Sequence, residues 1–568
     1  MLDKVRDWYR STFGHALVSA VLLWAAFPPA DLWPLAWVAP AWWVLLVRRG
    51  ELSGRRPYLK IWVAGFLFWL GALHWMRLPH WMTGFGWVAL SFYLAFYVLV
   101  FVGLSRVAVH RLRVPVILAA PVVWTGLELV RAHLLTGFTM ASLGHTQYRW
   151  IELIQLSDLA GAYGVGFLVM LVAACLARMV PSDGKPWTWW PLLPAAGVLC
   201  AALVYGHLRV SREPGEPQAR IALIQGSIDV VLNPAPGTHD RMHNQYRELS
   251  EKAVAQYGDL DLIIWPETVF GRSLRDYAPG LPVPDDWERS DAEFRLAVRR
   301  DTAESRKPMR DLANELGTPL LVGVTTQYFD LDQQWKRFNS AAFVPLGEGP
   351  IRPYHKMHLV VFGEYVPFAD RLAWLVRLTP LSSLGSGASA GTQPAAFQLD
   401  GLRLSPNICY ESVIPHLIRH QVNALARRGQ EPDVLVNLTN DGWFWGSSEL
   451  DLHLVCGVFR AVECRKPLLI AANTGFSAWI DADGRILARG PRRATGVVLA
   501  EVAPDPRGSW YLEHGDWPAG VCLLACLVFA AVGTWGWFSK RPQTGRAKAE
   551  PKNGKRGKKR ERRPTRKK

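Results

Sequence analysis

A chain of 568 residues, half of them hydrophobic and 27 of them tryptophan, is too long and too apolar for one ordinary soluble domain. Its net charge of +16 is concentrated: residues 540–568 hold 15 Lys and Arg against two Glu, so the rest carries only +3. That excludes a fold that is basic throughout. The run Lys555-Arg556-Gly557-Lys558-Lys559-Arg560 reads as a solvated tail drawn to anionic lipid, and no nucleic-acid partner is expected.

Seven apolar segments open the chain, at about 14–29, 32–47, 59–76, 86–104, 114–134, 160–181 and 188–208, and an eighth lies at 517–538. Pro28, Pro29, Pro34 and Pro40 blur the ends of the first two. With no small-residue cleavage site after the first segment, a cleavable signal peptide is not expected. Loop charges alternate. Lys4, Arg6 and Arg10 precede the first segment; Arg48, Arg49, Arg55, Arg56 and Lys60 follow the second. Arg106, Arg111 and Arg113 follow the fourth, Arg178 and Lys185 the sixth, and the intervening loops hold few. Positive loops mark the cytoplasmic side, so eight spans are expected, with both termini inside and the middle of the chain outside. Within the fifth segment Glu128 and Arg131 share a helix face at i,i+3, which suits a structural pair or a substrate path. Residues 134–138 and 161–166 suggest close helix approach or re-entry.

Beyond a Pro/Gly/Glu-rich linker at 211–219 the texture becomes α/β. β-rich runs fall at 220–225, 261–265, 319–325, 340–345, 402–408, 434–438, 468–472, 477–480, 486–488 and 496–502. Amphipathic helices are predicted at 239–257, 307–316, 414–428 and 450–463, and the charged, Pro-containing residues 271–300 read as an inserted loop. So many strands with intervening helices predict a sheet-based sandwich.

Several of these strands end in polar residues. Leu404-Ser405-Pro406-Asn407-Ile408-Cys409-Tyr410-Glu411 delivers a thiol, Ile263-Ile264-Trp265-Pro266-Glu267 a carboxylate, and Tyr354-His355-Lys356 an ammonium ahead of Phe362-Gly363-Glu364. Carboxylate, ammonium and thiol suffice for acyl transfer: a base, an oxyanion stabiliser and a nucleophile. Taken singly, Cys409 also fits a buried thiol, Glu267 a helix cap and Lys356 a surface charge. The seven cysteines are scattered, with no CxxC and no Cys/His zinc spacing, so neither a disulfide framework nor a metal site is expected. Cys456 and Cys464 would lie ~12 Å apart on a helix, too far to bridge.

Trp265-Pro266-Glu267, Lys356 with Phe362-Gly363-Glu364-Tyr365-Val366-Pro367, and Ile408-Cys409-Tyr410-Glu411 resemble the nitrilase (carbon–nitrogen hydrolase) superfamily. Asn339-Ser340-Ala341, Asn440-Asp441-Gly442-Trp443-Phe444 and Arg460-Ala461-Val462-Glu463 fit the same family. With eight spans, the chain resembles that superfamily's membrane-bound N-acyltransferases over about residues 10–538. The resemblance implies an eight-span helical membrane domain plus an αββα sandwich. It divides the chain into spans 1–7 at 1–209, an extracytoplasmic catalytic domain at 210–512, span 8 at 513–539 and a cytoplasmic tail at 540–568.

It also implies a Glu-Lys-Cys triad: Glu267 the general base, Lys356 the oxyanion stabiliser, Cys409 the nucleophile. Glu364 would support Lys356 and the proton transfer, Tyr410 and Glu411 would shape the pocket, and Trp443 and Phe444 either line the acyl path or simply pack. The implied reaction moves an acyl chain from a phospholipid, usually phosphatidylethanolamine, through a cysteine thioester. The acceptor is the α-amino group of a lipoprotein's S-diacylglyceryl cysteine, at the periplasmic face of the inner membrane. No cofactor is expected, and a monomer is. The chain departs from the pattern at Asp229–Pro234, at Val361 before Phe362-Gly363-Glu364, and at Ile470–Gly475. A membrane-tethered amidase, with water as acceptor, and a catalytically inert lipoprotein-binding scaffold are the competing readings.

Overall fold

A computed structural model describes residues 11–538, apart from 182–185, 211–214, 232–234, 286, 370, 372–375, 378 and 380–386. The basic tail predicted at 540–568 lies outside the described residues.

Five helices are long and apolar enough to cross a membrane: Thr83–His110, Val116–Thr136, Ala162–Met179, Leu192–Arg209 and Trp517–Trp535. Four of them turn large apolar side chains outward, Phe85 being 70% exposed and Leu193 76%, while Ala162–Met179 is enclosed by the others. A contiguous apolar exterior of this kind suits contact with lipid. Where three more spans are expected, the helices are shorter. Thr12–Ala26 and Pro57–Ala72 hold 15 and 16 residues, and 32–47 divides into a 3-10 turn, Trp33–Trp37, and helix Ala39–Arg48. Pro34 and Pro40 stand in the first turns of these two pieces. A missing N–H is harmless there, yet the ring cannot extend a helix arriving from before.

Helix Val116–His133 ends in a turn, Leu134–Thr136, where Leu135, Thr136 and Gly137 all adopt positive φ. The chain then runs buried and largely irregular to Gln147. Backbone in that setting needs internal partners, and Glu128 and Arg131 supply several. They pair at 3.5 Å; Arg131 donates to the Met140 carbonyl (3.2 Å) and Ser142 Oγ (2.7 Å), and the Leu143 N–H donates to Glu128 (3.0 Å). These are the contacts of a brace.

The second half of the chain is two sheets face to face. One has the order β13-β1-β2-β4-β5-β6, with β3 on β4. Its strands are β1 Ala219–Gln225, β2 Leu262–Ile264, β3 Ser273–Tyr277, β4 Leu320–Phe329, β5 Trp335–Val344, β6 Arg352–His355 and β13 Gly496–Val502. The other has the order β12-β11-β10-β9-β8-β7, from β7 Phe397–Leu399, β8 Leu402–Ile408, β9 Val434–Thr439, β10 Leu468–Ala472, β11 Ala478–Ile480 and β12 Ile486–Arg489. The period-2 alternation of a strand sends Ile221 and Leu223 of β1 into the layer between the sheets, against Leu404, Val436 and Leu469. It sends Ala222 and Ile224 outward beneath helices Thr238–Tyr257 and Asp291–Leu316.

The loop predicted at 271–300 is corrected. It contains β3 and the first turns of helix Asp291–Leu316, which starts at a capping box of Ser290 and Glu293. Pro308 lies inside that helix, so a sequence break before it hid the N-terminal turns.

Helix Glu449–Cys464 is buried along its whole length. One side covers the second sheet and the other meets Leu153, Ile154 and Val165 of the helical half, so even its polar residues Glu449, His453, Arg460 and Glu463 are buried. Just beyond it, fully buried Arg465 holds Asp158 (2.5 Å), Asp483 (3.0 Å) and Gln155 (2.6 Å). Asp158 also takes Arg209 (2.7 Å) and the Tyr205 hydroxyl (2.5 Å). Asp158→Ala leaves the buried Arg465 guanidinium with Asp483 as its remaining carboxylate among the described residues and is expected to cost about 1–3 kcal/mol, measured as a lower melting temperature in detergent.

Candidate active site

The parallel strands carry the site at their carboxyl ends, where an α/β sheet leaves room for a ligand. β2 runs parallel to β1 and β4, and β9 parallel to β8 and β10. Beyond β2, buried Trp265 donates its indole N–H to Ser250 (2.9 Å), and Pro266 and Glu267 turn across β4. Gly323 of β4 permits this: a Cβ there would lie 2.2 Å from the Pro266 carbonyl oxygen and 2.5 Å from Glu267 Cα.

Glu267, 7% exposed, is fully engaged. Its Oε1 accepts from Asn339 Nδ2 (2.6 Å) and Lys356 Nζ (3.5 Å), and its Oε2 from the Asn440 N–H (3.0 Å). The β5–β6 register places Ser340 opposite His355, which puts Asn339 beside Lys356; the Lys356 N–H donates to the Asn339 carbonyl at 2.8 Å. Lys356 Nζ also donates to Glu364 (2.9 Å), whose other oxygen accepts from the Val360 N–H (2.8 Å). Asn339 Nδ2 reaches Glu364 as well (3.1 Å). One buried ammonium thus stands between two carboxylates.

Cys409 follows β8, half-buried, at φ +51. A non-glycine residue in that region is strained and persists only where its surroundings hold it. Glu411 is one of the holders: fully buried, it accepts from the N–H groups of Ile408 (2.7 Å), Met357 (2.7 Å) and His358 (3.0 Å) and from the Tyr354 hydroxyl (2.8 Å). It ties the thiol's turn to the lysine's turn. Tyr410 donates to the Gly137 carbonyl (2.9 Å), and Phe444 meets Trp75 edge to face at 5.0 Å, so both join the site to the helical half. Trp443 is half-buried, and Trp445 beside it is exposed.

The charges are coupled. Burial pushes the Cys409 thiol well up, Glu267 adds to this and Lys356 opposes it, so the resting sulfur is protonated. Burial also raises Glu267, against the pull of Lys356. For Glu364 burial acts upward too, but Lys356 and the Val360 N–H outweigh it and leave the carboxyl low. Burial alone would lower Lys356; Glu364 and Glu267 reverse that and keep it charged. A neutral thiol, a carboxylate with raised proton affinity and a fixed cation are what base-assisted attack on a carbonyl requires.

Sequence reasoning gave no role to Asn339, which bridges the two carboxylates, or to Asp441, Glu449 and His453. These last three form a buried cluster behind Cys409. Only the i,i+4 spacing of Glu449 and His453 signalled it.

A helical half of apolar spans joined to this two-sheet domain defines a membrane enzyme of the carbon–nitrogen hydrolase superfamily, and residues 220–511 match the carbon-nitrogen hydrolase family model. Residues 19–175 match the apolipoprotein N-acyltransferase N-terminal domain. The chain belongs to the apolipoprotein N-acyltransferase family. It is 33% identical to the apolipoprotein N-acyltransferase of Rhodopirellula baltica over 92% of this chain and 97% of that one. It is 34% identical to that of Geobacter metallireducens over 92% and 95%. A solved carbon–nitrogen hydrolase superfamily protein from Xanthomonas campestris is 21% identical, covering 50% of this chain and 89% of its own, with a TM-score of 0.33.

Proposed function

We propose that the protein N-acylates lipoproteins, taking an acyl chain from a phospholipid such as phosphatidylethanolamine and passing it through a thioester on Cys409. The acceptor is the α-amino group of an apolipoprotein's N-terminal S-diacylglyceryl cysteine. One observation carries this reading: Glu267, Lys356 and Cys409 converge from three strands at a site docked on apolar helices, as two lipid-anchored substrates would require.

Glu267 takes the thiol proton as the sulfur attacks the ester carbonyl, and Lys356 stabilises the oxyanion that forms. Collapse breaks the ester C–O bond; the lysophospholipid leaves as an alcohol, with the proton returned by Glu267. The acceptor amine then gives a proton to Glu267 and attacks the thioester. The C–S bond breaks, an amide remains and Cys409 is regenerated as the thiol. The phospholipid is already an ester, so no nucleotide is consumed. Because Glu267 must start deprotonated and its pKa is raised, the acid limb of acyl loading is expected above the ordinary glutamate value of ~4.3. A single-turnover pH profile checks this; a limb at or below that value contradicts it.

Incubating the enzyme with phospholipid and a diacylated lipopeptide is expected to give the triacylated product. Fatty acid released without amide formation would mean that water resolves the thioester, as in the amidase reading.

The topology completes the account: eight spans, both termini cytoplasmic, and residues 210–512 on the periplasmic side of the inner membrane, with the protein working as a monomer. The alternating loop charges support this orientation. Glu348→Cys, on an exposed turn of the catalytic half, is expected to react with a membrane-impermeant thiol reagent in intact spheroplasts. Labelling only after lysis would reverse the orientation.

A further inference from the structure

Behind the nucleophile lies a buried group that the acyl transfer above does not use. His453, on helix Glu449–Cys464, is 4% exposed and meets partners at both ring nitrogens. Nδ1 lies 3.1 Å from Asp441 Oδ1, and Nε2 lies 3.2 Å from the backbone carbonyl oxygen of Cys409 and 2.9 Å from Ser412 Oγ. Asp441 and the Cys409 carbonyl can only accept, so a ring that serves both must donate from both nitrogens. The groups facing it agree: Asp441 is in contact, Glu449 lies 3.9 Å away on the same helix, and Glu267 acts from across the site. Burial alone would lower His453, but Asp441 outweighs it and the ring holds its proton more firmly than a free histidine.

Among the described residues the Cys409 carbonyl oxygen accepts from three side chains: Asn437 Nδ2 (3.1 Å), Ser412 Oγ (3.1 Å) and His453 Nε2 (3.2 Å). That oxygen belongs to the residue at φ +51, so fixing its peptide plane constrains the direction of the Cα–Cβ bond that carries the thiol. Asp441 is held in turn by Thr439 Oγ1 (2.7 Å), and Gly475 leaves it room, since a Cβ there would lie 2.1 Å from Asp441 Oδ2. The charge of Asp441 works against the Cys409 thiolate. A cation paired with Asp441 opposes that effect. Serine, histidine and aspartate in this order resemble a hydrolase triad, but Ser412 is 2% exposed and no substrate reaches it.

We propose that His453, paired with Asp441, is a positioning residue for the acyl transfer, clamping the Cys409 carbonyl so that the strained turn presents its sulfur to the donor ester. This rests on Cys409 being the nucleophile. The test uses the full-length enzyme in detergent and measures thioester loading from a phosphatidylethanolamine with a fluorescent acyl chain, over a range of donor concentrations. His453→Leu keeps the bulk without a donor; its maximal loading rate is expected to fall about 30-fold or more, the size of effect that lost polar positioning contacts bring, with the donor KM within about twofold. His453→Gln, whose amide can reach the Cys409 carbonyl, is expected to recover at least about tenfold of that loss. Loading by His453→Leu within about threefold of the unmodified enzyme overturns the proposal, as does a glutamine variant no faster than the leucine one. If His453→Leu does not fold, His453→Gln is compared with His453→Asn, whose shorter amide faces Asp441 and cannot reach the carbonyl. Glutamine must then be at least about tenfold faster, and equal rates overturn the clamp. Cys409→Ala separates the two layers: if it still loads acyl chain, the nucleophile assignment itself fails. If it is inert while His453→Leu is unimpaired, only the clamp fails.

Discussion

Cys409→Ala is expected to abolish acyl transfer, with a loss on the order of 10⁴-fold or more in turnover of phospholipid with a diacylated lipopeptide. The size follows from the role. Without the sulfur no thioester forms, and the amine would have to attack an unactivated ester directly in a site shaped for two steps. The fold should tolerate the change. The thiol is half-buried, and the turn is held by the carbonyl of residue 409 and by Glu411, not by the sulfur. Comparable melting temperatures with no product is the expected pair of results. Full activity would remove Cys409 from the chemistry.

Lys356→Ala is expected to cost about 100-fold or more in turnover, as for an oxyanion donor. The geometry points to a second consequence. Lys356 is 1% exposed and stands between Glu267 and Glu364, at 3.5 and 2.9 Å. Without it the two carboxylates face one another across Asn339, which reaches both. Like charges that close cannot both stay ionised, so the proton affinity of the Glu267–Glu364 pair must rise. The acid limb of acyl loading should therefore move to higher pH in Lys356→Ala, in addition to the lower maximum. A near-normal maximal rate would remove the oxyanion role. A lower maximum with an unmoved limb would mean that the ammonium does not control the carboxylates' ionisation.

Much of the site was legible because strands announce where they end. Glu267 and Cys409 each follow an apolar run that stops at the carboxyl end of a strand, and Lys356 precedes another apolar run, so types and order offered a base, a cation and a thiol, and the family resemblance gave them their roles. What aligns them was not legible. Glu411, two residues after the thiol, reads in sequence as shaping the pocket, and only its four donors among the described residues reveal that it braces two turns. His453 lies 44 residues from Cys409 on a helix buried between the two halves, and nothing local signals that its ring reaches the nucleophile's carbonyl. In the fold, apolar length found the five long helices, but prolines and short runs obscured how Thr12–Ala26, Ala39–Arg48 and Pro57–Ala72 lie. The strand at Ser273–Tyr277 escaped because SLRDY carries charge where a strand signal needs apolar alternation; its pairing with β4 is tertiary.

The account stands on a covalent intermediate, and intact-protein mass spectrometry after incubation with phosphatidylethanolamine alone tests it most directly. The expected result is one added acyl chain, labile to hydroxylamine, mapped to Cys409 and discharged when a diacylated lipopeptide with a free α-amine is added, with N-acyl product appearing in equal amount. Triacylated product formed with no acyl-enzyme at any time, or an adduct on another residue, would contradict it.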